Sequence, residues 1–408
     1  LKESPYLKKF GFRDPLLNQE PDNNLELCIT IPSYQEPDLE LTLESLIECE
    51  EFDQRTEVLV LFNSGEADAE TKDTHRSQLH ECEQWKNSRD LNNIHFLLCD
   101  DLPGKIAGVG LARKILMDEA SYRFEVLNKV GTIVCLDGDS TVESNYIREL
   151  LNANRTDAPG FAIRYAHPLQ GAYSDCHYRA IINYEIHLRY YIECMRFAGF
   201  PHAYHTVGSS MAVKSDVYQA QGGMNKRKAG EDFYFLNKII AVGGFKELNS
   251  TCVHPSPRSS ERVPFGTGKA VGEELAGKRQ IDTYNFNIFK ELKQLFSKAG
   301  LFYSGSDIRF NDKLKGFLEE VRFWNRVEEI RSNVGNEAAF VKRFYRWFDA
   351  FMIMKFSHYF RDHHYASLEP AEACKPLFAN LGIELEDYSP VNVLVALREH
   401  QEKGWTPG

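Results

Sequence analysis

The chain has 408 residues, 43% hydrophobic and 26% charged, the composition of an ordinary globular protein long enough for two domains. Its formal charge of −11 argues against a broad nucleic-acid footprint, and no apolar run approaches the roughly 18 residues a membrane-spanning helix needs. Nine cysteines are scattered without a Cys-x-x-Cys pair, and Cys28, Cys99, Cys135 and Cys252 fall in or beside strand-like runs. Buried thiols in a reducing compartment fit that pattern, so with no signal-peptide core at the start the expected location is cytoplasmic, with peripheral membrane contact still compatible.

Residues 1–24 are polar and rich in Pro and Asn, an arm without periodicity. Leu25-Glu-Leu-Cys-Ile-Thr-Ile31 reads as a buried strand that stops at Pro32-Ser33-Tyr34-Gln35-Glu36-Pro37. A helix follows, with Leu39, Leu43, Leu46 and Ile47 on its apolar face and Asp38 as N-cap. Val58–Phe62 is a second strand ending at Asn63-Ser64-Gly65, Glu66–Asn93 is polar and helical in part, and Ile94–Leu98 is a third strand. This alternation implies right-handed parallel crossovers and an α/β sheet.

Pro103-Gly104-Lys105 leads into Gly108-Val-Gly110-Leu-Ala-Arg113-Lys114, which opens a helix. Without a third glycine this is a poor dinucleotide fingerprint; the helix start and Arg113 suit an anion, unless the glycines serve tight packing alone. The helix delivers the chain to Ile133-Val-Cys-Leu-Asp137-Gly-Asp139, a buried strand ending in two carboxylates. In an extended chain residues i and i+2 point the same way, so Asp137 and Asp139 can converge on Mg2+ or Mn2+, while Gly138 lets a ligand approach the backbone. A plain Asp-Gly turn is the competing possibility; a calcium loop is not, because Val142 and Arg148 stand where an EF-hand needs Gly and Glu. Tyr34, Glu36, Asn63 and both aspartates fall at the carboxyl ends of strands, where open α/β sheets bind ligands.

Further on, Phe161–Arg164 is strand-like, and His177, Ile181, Tyr184, Leu188, Tyr191 and Met195 mark one long amphipathic helix. Arg179, Glu185, Arg189, Glu193 and Arg196 occupy its other face; the apolar seam is expected to be core, with acceptor contact as a second role. Thr206–Val213 is expected as a strand, Gly222-Gly223 as a turn, and Gly230-Glu231-Asp232 as a helix start whose acids the helix dipole alone would favour. Val253-His254-Pro255 closes another strand, and a Gly-rich basic stretch with Arg258, Arg262 and Lys269 then reads as a loop able to close over phosphates, or as a solvated connector. From about Asn285 only helical stripes remain, among them Phe344, Trp347 and Phe351, and Ser389-Pro390 starts the last helix. The expected division is a domain at 1–284, with halves at about 25–140 and 141–284, and a helical unit at 285–408.

Taken in order, these motifs resemble a family 2 nucleotide-sugar glycosyltransferase of the GT-A fold. Ile31–Pro37 is similar to that family's first-strand Pro-x-Tyr-Asn-Glu, with Gln35 in place of Asn, and Asn63-Ser64-Gly65 stands where an Asp or Asn lies near the nucleotide base. Gly108–Lys114 is similar to Gly-x-x-x-Ala-Arg-Asn, with Lys114 in place of Asn; Asp137-Gly-Asp139 looks like the metal-binding DxD, and Glu231-Asp232 like the downstream acidic pair. The resemblance spans about residues 25–280. It implies an α/β, GT-A-like Rossmannoid fold, a mostly parallel sheet flanked by helices, with the helical C-terminal unit outside it.

The activity implied is Mn2+- or Mg2+-dependent transfer of a sugar from a UDP- or GDP-type donor to the hydroxyl of a glycan, a lipid-linked compound or a small molecule. By the same resemblance Pro32, Tyr34, Glu36, Asn63, Lys105, Arg113 and Asp137 would bind the donor. Asp137, Asp139 and His254 would hold the metal, and Arg258, Arg262 and Lys269 would cover the diphosphate. Asp232 would be the base of an inverting displacement, with Glu231 orienting it or binding acceptor. Three alternatives stay open: a retaining relative with His254 on the metal, a silent nucleotide- or glycan-binding module, and a haloacid-dehalogenase-like phosphatase. The last is suggested because Leu136–Thr141 also resembles that family's signature with Asp137 as nucleophile, although three α/β units precede it here. A homo-oligomer is compatible with all of these.

Overall fold

The first strand, β1 (Leu27–Ser33), is buried at every position, which its aliphatic and β-branched side chains permit and a strand covered on both faces requires. The computed structural model describes residues 3–66, 68–260, 266–305 and 308–407. On one side β1 pairs in parallel with β2 (Thr56–Gly65), and β2 with β3 (Ile94–Leu102); on its other side it pairs in parallel with β4 (Thr132–Cys135). Four more strands, β5 (Ser140–Val142), β6 (Gly160–Tyr165), β7 (Met211–Lys214) and β8 (Lys246–Pro255), complete an eight-stranded sheet of order β3-β2-β1-β4-β7-β6-β8-β5. The β4–β7, β6–β7 and β5–β8 pairs are antiparallel and β6–β8 is parallel, so four of the seven pairs are parallel, as expected of a mostly parallel sheet, and the antiparallel pairs lie in its second half.

Two consequences of this topology position the site. The chain moves from β1 outward to β3, then returns to the opposite side of β1 at β4, so the switch point lies between the carboxyl ends of β1 and β4. Pro32 sits there, past the last β1–β4 pair of Thr30 with Cys135, where its missing N–H breaks no ladder. The sheet must also curl. β4 and β5 are four positions apart in the order, about 19 Å in a flat sheet at about 4.8 Å per strand. Yet only Leu136–Asp139 connect them, folded in a turn that Ser140 N–H closes on the Asp137 carbonyl at 3.1 Å.

The sheet is backed by the helix Val109–Val126, buried from Gly110 through Phe124 although it carries Arg113, Lys114, Asp118, Glu119 and Arg123. Those charges survive burial because each has a partner. Arg123 donates to Glu57 at 2.6 Å, Lys114 lies 3.0 Å from Asp118, and Glu119 accepts from Leu16 N–H at 2.6 Å. The N-terminal arm is therefore not featureless. Its helix Pro5–Phe10, capped by Ser4 Oγ on Leu7 N–H, buries Tyr6 and sets the Tyr6 hydroxyl 2.8 Å from Asp118. The helix Leu39–Ile47 buries Leu39, Leu43 and Leu46 of the expected face together with Thr42, leaves Ile47 half-buried, and has Asp38 at its N-cap without a side-chain cap bond. Thr206–Ser210, expected as strand, stays outside the ladder, which begins at Met211.

The described chain divides into two compact units, the first running to Pro168 and resuming at Thr206–Pro257, the second holding Leu169–His205 and the chain from Thr267 onward. The long helix Asp175–Ala198 thus groups with the C-terminal helices, whereas the sequence suggested a single division at 284. On its charged face Arg179 is exposed, whereas Glu185, Arg189 and Glu193 are buried. Glu185 accepts from Arg189 and Arg398 at 2.7 Å, and Glu193 accepts from Arg196 at 2.8 Å and Gln401 at 2.9 Å. Arg398 and Gln401 come from the last helix, Pro390–Glu402, which starts at Ser389-Pro390 as expected. The basic stretch expected as loop is helical over Thr267–Leu275, because Val271 packs into a cluster with Tyr178, Ile181 and Ile281. Among the described residues no helix is long and apolar enough to cross a membrane.

Candidate active site

The loop after β1 and the loop after β4 meet at the switch point. A Cβ on Gly138 would lie 3.1 Å from Glu36 Cγ and 3.5 Å from Leu39 Cδ1, so glycine is what lets Glu36 pack over the Asp137-Gly-Asp139 turn. Glu36 is buried and Tyr34 half-buried, while Gln35 between them has φ 51°, in the left-handed region. The loop is fastened by one face of the polar helix Ala69–Ser88. Tyr34 donates to Asp68 at 3.0 Å, Gln35 Nε2 donates to Thr71 Oγ1 at 2.9 Å, and Gln35 N–H donates to His75 Nε2 at 3.0 Å. None of Asp68, Thr71 and His75 stands out in the sequence, although their spacing of three and four along a helix puts them on one face. Asn63 is buried at an irregularity in the β2–β3 pairing, and Lys105 is exposed.

Asp137 and Asp139 are both half-buried. Asp137 Oδ1 accepts from Arg113 Nη2 at 2.5 Å, and Arg113 Nη1 donates to Glu231, so one guanidinium bridges the strand-end acid and the acidic pair. Burial alone would weaken the hold of Arg113 on its proton. The charges of Asp137, Glu231 and Asp232 outweigh that and raise its pKa, so it stays a cation. This bridge depends on two close approaches. A Cβ on Gly208 would stand 2.4 Å from the Arg113 guanidinium, and one on Gly110 would stand 2.0 Å from the Arg227 carbonyl oxygen. Gly110 therefore serves packing, with the Arg227 backbone against the helix start where an anion was a possible occupant, and Arg113 is committed to carboxylates.

Glu231, 2% exposed, is spent on Arg113. Asp232 beside it is half-buried, accepts from Phe233 N–H at 2.7 Å, and has its carboxyl pKa raised to about 6 by burial and by the neighbouring Glu231 charge, against the pull of Arg113. A carboxyl so tuned can exchange protons near neutral pH.

His254 lies on β8 opposite Thr141 of β5, two residues from Asp139. Its Nδ1 is 3.0 Å from the Ala166 carbonyl, which can only accept, so Nδ1 carries a proton and in the neutral ring the lone pair is on Nε2. Nε2 is 4.0 Å from Glu143, which also pairs with Arg164 at 3.1 Å. Among the described residues, the three ligand-type side chains with donor atoms within 4.8 Å of one another are Glu143, Cys252 and His254, a group that does not contain the two aspartates. Asp137 and Asp139 nonetheless fit a hard divalent cation. They are two oxygen donors at an accessible strand end, and such ions complete their shell with water and phosphate. Arg258 and Lys269 belong to the second unit, where Lys269 lies on a helix 3.7 Å from Glu273. Arg262 lies outside the described residues.

No protein-family model and no curated protein matches the sequence. Among solved structures the chain is similar to TarS 1–349 of S. aureus at 12% identity and TM-score 0.40, over 57% of this chain and 60% of that one. The same protein in complex with UDP-GlcNAc aligns at 13% identity and TM-score 0.42, over 89% of this chain and 93% of that one. GalNAc-T7 with UDP, GalNAc and Mn2+ aligns at 14% identity and TM-score 0.39, over 72% of this chain and 55% of that one.

Proposed function

We propose that the chain is a nucleotide-sugar glycosyltransferase of the GT-A type, similar to family 2, using Mn2+ or Mg2+ and inverting the anomeric centre. The observation that carries this is the junction at the β1/β4 switch point. Glu36 packs on Gly138 between the two aspartates, and Arg113 links Asp137 to the pair Glu231-Asp232. An open α/β sheet offers its ligand crevice there, and a carboxyl near pH 6 stands beside it.

In the proposed mechanism residues 1–284 supply the chemistry, and Tyr34, Glu36 and Asn63 line the donor side. Asp137 and Asp139 would hold the divalent cation, which when bound neutralises charge on the departing diphosphate, and His254 would join them only by leaving its place beside Glu143 and Cys252. Asp232 takes the proton of the acceptor hydroxyl while that oxygen attacks the anomeric carbon and the bond to the diphosphate breaks. The products are a glycoside of inverted configuration and a nucleoside diphosphate. Arg113 keeps its charge throughout and holds Glu231 away from the acceptor.

The test is calorimetric titration with UDP and GDP, with and without Mn2+, followed by hydrolysis assays on a panel of nucleotide sugars. Binding should be tightened by metal and lost in Asp139→Ala. Affinity that ignores the metal would remove the proposed cation site. Turnover of phosphomonoesters with an acyl-phosphate trapped on Asp137 would install the phosphatase chemistry instead.

A further inference from the structure

His75 is 0% exposed in the middle of a helix whose other buried residue is Thr71, and nothing in the mechanism above uses it. A backbone N–H can only donate, so the bond from Gln35 requires an unprotonated Nε2 and puts the ring hydrogen on Nδ1. Burial lowers the pKa of His75, which favours that neutral form. Among the described residues Nδ1 is buried without a hydrogen-bond partner. A fully buried imidazole that leaves one nitrogen unsatisfied is a poorer core residue than a phenyl ring of similar size, so packing against Phe62 and Tyr34 does not account for it.

The acceptor at Nε2 does account for it. Gln35 has a side chain and yet occupies the left-handed region, a conformation that needs external support. Its amide is held by His75 and its side chain by Thr71, while the flanking residues are held by Asp68 through the Tyr34 hydroxyl and by Gln78 Nε2 on the Glu36 carbonyl at 3.4 Å. Asp68, Thr71, His75 and Gln78 recur at three- and four-residue intervals, so one helix face grips three consecutive residues of the loop. The next residue along, Glu36, is the one that packs on Gly138 between Asp137 and Asp139.

We infer that His75 is a positioning residue: its Nε2 holds the Gln35 amide, and through it the Tyr34-Gln35-Glu36 loop, in the shape that receives a nucleoside diphosphate beside Asp137 and Asp139. The inference rests on the glycosyltransferase reading. It is tested with His75→Phe, which keeps the ring and removes the acceptor, and His75→Gln, which keeps an acceptor at similar reach. The readouts are calorimetry with UDP or GDP plus Mn2+, amide hydrogen exchange at Gln35 and Glu36, and thermal denaturation. His75→Phe should weaken nucleotide binding about tenfold, the worth of one hydrogen bond, and speed exchange at Gln35 while the melting temperature holds. His75→Gln should bind within a few-fold of wild type. Wild-type affinity in His75→Phe, or equal losses in both variants, overturns the positioning role alone. A wild type that binds neither nucleotide removes the donor reading and this inference with it.

Discussion

Gly110 and Gly138 both precede an acidic or basic cluster, and the space around each assigns it a different penalty for a side chain. At Gly110 the obstacle is the Arg227 carbonyl oxygen, 2.0 Å from an added Cβ, with Glu231 Cβ at 3.1 Å. Backbone cannot step aside cheaply, so Gly110→Ala should destabilise the fold by about 1–3 kcal/mol, read by thermal denaturation. At Gly138 the nearest atom is Glu36 Cγ at 3.1 Å, on a side chain that can turn. Gly138→Ala should therefore melt near wild type and lose affinity for UDP with Mn2+. Asp232 gives the sharper test of chemistry. Asn in its place can still accept from Phe233 N–H but cannot take a proton, so Asp232→Asn should lower kcat by about 10²- to 10⁴-fold with donor affinity nearly unchanged. Asp232 is an acid with its pKa at about 6, so it is a carboxylate above that pH and protonated below it. The kcat/KM profile should fall about tenfold per unit below pH 6, and that limb should be absent from the residual activity of Asp232→Asn.

At the scale of elements, most strands were legible because burial on both faces leaves a nearly continuous apolar run, as in Leu27–Ile31 and Ile133–Leu136, whereas the short β5 has none. The last helix was legible from Ser389-Pro390 and its stripe. The helix Ala69–Ser88 was read only as partly helical, because it buries two residues of its 20 and so carries almost no apolar period. The acidic motifs could be ordered along the chain, but the partners of Arg113 could not, since Glu231 lies 118 positions away. The partners of the charged face of Asp175–Ala198 were out of reach for the same reason, since Arg398 and Gln401 lie 213 and 208 positions from Glu185 and Glu193. That network makes a prediction of its own. Glu185 is fully buried and relies on Arg189 and on Arg398, whose side chain is 19% exposed. Arg398→Met should cost about 2 kcal/mol or more in chemical denaturation, and Glu185→Gln in the same background should recover part of it by removing the stranded charge.

For the whole molecule, a boundary drawn at residue 284 has a measurable consequence. A chain ending there keeps the helix Asp175–Ala198 but loses the helices Phe286–Phe296, Pro370–Leu381 and Pro390–Glu402 of the same unit. Ile181, Ile186, Tyr190 and Cys194, all buried in the full chain, belong to that helix, as do Glu185 and Glu193. Deleting 285–408 should therefore yield an aggregating product by light scattering, whereas a soluble monomer with intact nucleotide binding would show the helices to be a separable appendage.

The order in which the two units receive their parts also sets a timetable for synthesis. Every strand of the first unit has left the ribosome once Pro255 has emerged, so that unit can close early. The second unit receives Asp175–Ala198 first and waits about 190 residues for the helix that brings Arg398 to Glu185 and Gln401 to Glu193. At about 5–20 residues per second that is roughly 10–40 s in which an apolar seam and two carboxylates meant for the interior stand open to water and to other nascent chains. Slowing translation before the codon for Pro390 should lengthen that exposure and lower the soluble yield, and a chaperone that binds exposed helices should restore it.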